Sequence, residues 1–117
     1  MSDFEAKAQA ERAHYDQLSL TEMHALIHER RFGRTGAFWE SLRARATLAS
    51  SGWVLLELLE RRSVSREARA GAASVLLTLA ACHDWSPEAL ADDADPEFES
   101  RVRALRWLVN ERLRGTA

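Results

Sequence analysis

Apolar residues recur along this chain at three- and four-residue intervals almost from end to end, and no run of alternating β-branched residues reaches strand length. That period predicts helices throughout. Residues 4–17 (FEAKAQAERAHYDQ) are rich in the helix formers Ala, Glu, Lys and Gln. Ser19-Leu20-Thr21-Glu22 has the spacing of a capping box, which opens a second helix from 20 to about 32. Gly33 and Gly36 enclose a loop. The segment 37–62 reads as helix, and Ser50-Ser51-Gly52 either breaks it in two or lets a neighbouring helix approach closely. Ser63 or Ser65 caps the next helix, whose centre AGAASVLLTLAAC is apolar on nearly every side and is therefore expected to be buried and central. Ser86-Pro87-Glu88 and Asp95-Pro96-Glu97 are successive start signals nine residues apart. The first opens a helix of one or two turns. The second opens the last helix, 96–114, which Gly115 ends. The expectation is a single all-α domain over 1–117, a compact bundle of five or six helices.

With 117 residues, 46% of them apolar, and only two prolines and five glycines, the chain has the material for a core of its own. The lone Cys82, in the run SVLLTLAAC, reads as a buried thiol and has no partner for a disulfide. The opening MSDFEAKAQAERA is charged and lacks an apolar signal region, and no apolar run is long enough to span a bilayer, so a cytoplasmic protein is expected. The net charge of −2 conceals strong segregation. Residues 30–83 hold nine arginines against four glutamates, residues 84–100 hold seven acids and no base, and residues 101–117 hold five arginines and one acid. The balanced total argues against nucleic acid as a partner. Acidic and basic stretches are expected to face each other within the fold. Fifteen arginines stand against one lysine, a ratio that a GC-rich bacterial genome produces as readily as function does.

The chemistry-bearing candidates are few. His24 and His28 have the four-residue spacing of a helical metal site, and a hairpin about Ser19 would bring His14 toward His24. A metal-dependent hydrolase built on His14, His24 and His28 is thus the enzymatic alternative. Against it, Leu20, Met23, Leu26 and Ile27 define the apolar stripe of that helix, with His24 roughly 90° and His28 roughly 130° from its centre. Ala25 also stands where a zinc protease carries glutamate. The residues imply no catalytic set, no metal and no cofactor.

Arg30, Arg31 and Arg34 cluster at the end of the second helix, where positive charge complements the helix dipole and an anionic partner could dock. Nucleic-acid binding through the arginines of 30–69 is a further alternative, as is an inhibitor or immunity-type protein whose acidic segment 84–99 blocks a basic site. Among the tryptophans, Trp53 shares a helical face with Phe38, Leu42, Ala46, Ala49 and Leu56 and is expected in the core, with Trp39 at the edge of that face and Trp85 covering the core. Trp107 departs from this pattern. Phe98, Val102, Leu105, Val109 and Leu113 form the apolar stripe of the last helix, and Trp107 projects roughly 180° from Phe98 among Arg103, Asn110 and Arg114. An exposed indole ringed by arginines has the composition of an interface hot spot.

Residues 54–79 resemble one HEAT-type helical repeat. Val54, Leu55, Leu56, Leu58 and Leu59 match its first helix, Glu67-Ala68-Arg69 the opening of the second, and Ala72, Val75, Leu76 and Leu79 its buried face. Ala68 is smaller than the usual residue, Arg62-Ser63 replace a common aspartate in the turn, and no second copy follows at a period of about 40. The resemblance implies a stacked helical hairpin and a protein-binding role. The expectation drawn from all of this is a non-enzymatic interaction module that binds another protein or a second copy of itself. Arg103, Trp107, Asn110 and Arg114 form its contact surface, and Arg30, Arg31 and Arg34 come second.

Overall fold

The computed structural model describes residues 2–33, 35–61 and 64–115. Among them are six α-helices, one 3-10 turn and no strand: α1 Asp3–Asp16, α2 Leu20–Glu29, α3 Ala37–Arg45, α4 Leu48–Glu60, α5 Arg66–Leu79, the 3-10 turn Pro87–Leu90, and α6 Phe98–Gly115. The protein is an all-α bundle.

Local signals account for most of the helix starts. Ser19 Oγ accepts from Glu22 N at 3.1 Å and Glu22 Oε1 accepts from Ser19 N at 3.0 Å, which is the reciprocal box read from the sequence. Ser65, not Ser63, caps α5, accepting from Ala68 N; Ser63 lies outside the described residues. Asp95 folds back to accept from Glu97 N at 2.9 Å, so that α6 begins at Phe98, two residues past Pro96. Two further boundaries differ from expectation. The second helix stops at Glu29, not near 32, because Arg30 turns into the left-handed region (φ 59) and Arg31 N closes back on Leu26 O. The third segment divides at Ala46-Thr47, not at Ser50-Ser51-Gly52: Thr47 and Ser50 form a second reciprocal box that starts α4.

α5 packs on α4, on α3 and on the 3-10 turn; α1 lies on α3, α2 on α3 and α4, and α6 on α4. Core side chains come from all six helices and from Leu90 of the 3-10 turn. α1 is the exception in composition. Tyr15 is its single buried residue, and polar contacts hold its C-terminal end. Ser41 Oγ donates to Asp16 at 2.6 Å, and Arg45 donates to the carbonyls of Tyr15 (2.9 Å) and Leu18.

The acidic segment folds onto arginines, as its charge suggested. Asp93 lies 3.4 Å from Arg69, and Asp95 lies 2.9 Å from Arg101. The N–H of Glu97 and the Arg101 guanidinium hold the Asp95 carboxyl below its usual range. Arg69 is the one buried charge among the described residues. Its guanidinium donates to the carbonyls of Leu59 (2.6 Å), Val64 (3.3 Å) and Arg61, and it stands 5.3 Å from the Phe98 ring. It thereby ties the end of α4, the α4–α5 turn, the acidic segment and the start of α6 to one point.

Candidate functional site

The tryptophans divide differently from their sequence positions. Trp39 is in the core: it stacks with Phe32 at 5.0 Å and meets Phe38 edge-on at 4.9 Å, with α5 pressed against it at Gly71. A β-carbon at Gly71 would collide with the Trp39 ring. Trp53, expected in the core, is instead 43% exposed. The break at Ala46-Thr47 restarts the helical phase, so the face that α3 turns inward does not continue into α4. There Leu55, Leu56, Leu58 and Leu59 take the inward positions and Trp53 falls outside them. Trp85 is half-buried against the core.

Trp107 is 64% exposed, on the side of α6 opposite its buried residues Phe98, Val102, Leu105 and Val109. Leu113, placed in the same stripe by the sequence, is half-buried at the helix end. Around Trp107, Arg103 and Arg114 are exposed and Asn110 is half-buried. Arg103 makes no hydrogen bond or ion pair with any described residue, and Arg114 reaches Glu111 at 3.6 Å across one exposed turn.

α4 runs antiparallel to α6. A β-carbon at Gly52 would sit 3.6 Å from Val109 Cγ1, Glu60 pairs with Arg106, and Leu48 and Ala49 line a groove together with Arg112 and Leu113. Gly52 is buried inside α4 and breaks nothing; a β-carbon there would meet α6 at ordinary contact distance, its tighter neighbour being Leu48 of its own helix. This register sets Trp53 within about one residue rise of the level of Trp107. On a helical wheel both indoles leave the outer side of the α4/α6 layer. Hollows flank them at the two ends of the seam. One, of ≈ 320 Å³, is bounded by Arg103, Arg106 and Glu60; the other, of ≈ 810 Å³ and mainly apolar, by Leu48, Leu79 and Leu113.

The remaining candidates do not join this face. Arg30 and Arg31 are exposed beyond the end of α2, where Arg31 lies 3.9 Å from Glu29, and Arg34 lies outside the described residues. α2 packs on α3 and α4, so this second cluster belongs to another part of the surface. The histidines diverge. His14 and His28 are exposed, whereas His24 turns toward α4 and shares a 2.8 Å hydrogen bond with the buried Ser51 Oγ. Burial, reinforced by nearby His28, lowers the His24 pKa. Its position on the flank of the α2 stripe makes it a packing residue. Among the described residues no group of three or more His, Cys, Asp or Glu side chains stands close enough to share a metal ion. No helix among them is long and apolar enough to cross a membrane.

Sequence reasoning singled out Arg69 only within the Glu67-Ala68-Arg69 step and missed its role as a structural centre, because the carbonyls it serves lie at the end of α4 and in the turn before α5. It also missed Trp53 as part of the outer face; the signal that could have found it is the Thr47-x-x-Ser50 spacing, which marks the restart of the helix. Comparison with protein-family models, with curated proteins and with solved structures finds no match.

Proposed function

We propose that this chain is a small non-enzymatic helical binding module, cytoplasmic in location, that engages a protein through the outer face of α6: Arg103, Trp107, Asn110 and Arg114. The observation that carries this reading is the exposure of the Trp107 indole on a helix whose opposite stripe is sealed in the core. A large aromatic side chain left in water beside guanidinium groups is the composition of a binding hot spot. The second exposed indole, Trp53, on the antiparallel neighbour at nearly the same level, extends it into a patch. The likeness of 54–79 to a HEAT-type hairpin adds a family habit of protein binding. Arg30 and Arg31 remain a secondary contact for an anionic group.

The test is photocrosslinking from position 107. A photoreactive phenylalanine derivative replacing Trp107 is expected to give a protein adduct on irradiation in the cell. The same group replacing Phe4, which is 62% exposed on the polar α1, is expected to give none. A folded chain that yields no adduct from position 107 would falsify the reading.

A further inference from the structure

We infer that the occupant of this face is a second copy of the chain, docked with its α6 antiparallel about a two-fold axis passing beside Trp107; this rests on the binding role proposed for the face. Charge complementarity selects that occupant. The outward stripe of α6 is Ser100, Arg103, Trp107, Glu111 and Arg114, all exposed. In an antiparallel pairing centred on Trp107, a residue a given number of positions before it faces the residue the same number after it in the other copy. Arg103 and Glu111 each lie four positions from the centre, so Arg103 of each copy meets Glu111 of the other. Ser100 and Arg114, each seven positions away, meet as hydroxyl and guanidinium. A parallel pairing would instead set Arg103 against Arg103, Glu111 against Glu111 and Arg114 against Arg114, and like charges opposed in this way repel. Arg103 is also without a partner in its own chain among the described residues, while Glu111 is held only by an exposed 3.6 Å contact that a cross-copy pair can share.

The register of α4 adds apolar area at the same axis. A two-fold axis perpendicular to α6 and lying in the contact plane leaves α4 of both copies on one side. Trp53 lies near the level of Trp107, so both indoles from each copy gather about the axis. Four tryptophans at the centre with two ion pairs outside them have the anatomy of an isologous interface, apolar within and charged at the rim. The α4/α6 face measures roughly 27 Å by 20 Å. With the relief of its side chains it approaches the ~800 Å² per partner of a standard interface.

The experiment is a charge-swap cycle on the full chain, read as the dimer dissociation constant by light scattering and sedimentation. Arg103→Glu alone opposes two carboxylates at each rim pair, and Glu111→Arg alone opposes two guanidinium groups there. Each is expected to weaken self-association on the order of tenfold or more. An equimolar mixture of the two variants restores opposite charges at both rim pairs of a mixed dimer, at one as in the wild type and at the other with the wild-type signs exchanged: the R103E copy keeps Glu111 and the E111R copy keeps Arg103, which meet as the native pair, while the two introduced side chains meet as a carboxylate and a guanidinium. Both pairs are therefore attractive, and the mixture is expected to return to wild-type strength. A misfolded variant cannot be rescued this way, so recovery by mixing also certifies the fold. A wild-type chain that stays monomeric at about 100 µM, or a mixture no stronger than its parents, overturns the inference. A position-107 adduct of twice the chain mass supports it. An adduct to a different protein overturns the self-pairing and leaves the binding role standing, whereas no adduct removes both.

Discussion

Trp39 and Trp107 are the same side chain in opposite surroundings. Trp39 lies between α3 and α5, clasped by Phe32, Phe38 and the bare backbone of Gly71, and loses almost all its contact with water. Trp107 stands on a helix whose own stripe is already packed, so its ring has nothing left to cover within the chain. The arginines repeat the contrast: Arg69 is sealed in and donates to three carbonyls, while Arg103 is open to solvent. Large aromatic or long cationic character does not reveal whether a residue stabilises the fold or faces a partner. What separates the two is whether the surrounding elements have satisfied it.

The contrast can be broken most severely at Arg69. Arg69→Met leaves the carbonyls of Leu59, Arg61 and Val64 without this donor and removes a partner of Asp93. A loss of about 3–5 kcal/mol is expected in urea denaturation. Trp39→Ala should come next, at about 3–4 kcal/mol, from lost burial and the cavity it leaves. Gly71→Ala tests the same contact from the other side. A β-carbon driven into the indole should cost about 1–3 kcal/mol unless α5 moves away, and combining it with Trp39→Leu should recover part of the loss.

A smaller effect concerns pH. The folded chain lowers the His24 pKa, so between the ordinary imidazole value near 6.5 and the lower folded value the unfolded chain binds more protons. Stability is therefore full above about pH 6.5 and declines as the pH falls toward the folded pKa. His24→Asn, which can keep a bond to Ser51, should flatten that decline in melts recorded between about pH 7 and pH 5. Smallest of all is Trp107→Ala, expected to alter the stability of the isolated chain by less than about 0.5 kcal/mol while abolishing self-association. A loss comparable to that of Trp39→Ala would place Trp107 in the core and erase the contrast.

Much of the helix layout is legible because its causes are local. The Ser19–Glu22 box, the Pro87 start and the apolar stripe of α6 are written within a few residues of one another, and each forms as read. The Thr47–Ser50 box is equally local, but the more conspicuous Ser-Ser-Gly beside it masks it. From that single misplaced boundary follows the misplacement of Trp53: a helical wheel drawn through a break transmits its phase falsely. The exposure of Trp107 is legible because its wheel contains no such break. The burial of Arg69 is not legible, since its partners at 59, 61, 64 and 93 come from a turn and from a segment 24 residues away.

By itself, the sequence determined where the chain coils, how most of those coils are capped, and which side of the last helix must be apolar, because backbone hydrogen bonding and the 3.6-residue period act within a few residues. Tertiary structure alone decided that Trp39 is sealed against α5, that Arg69 is the one buried charge among the described residues, and that two indoles from separate helices share one level of the surface. Those outcomes depend on how whole helices are set against each other, and that setting follows from the directions of turns and the mutual fit of side chains far apart in the chain.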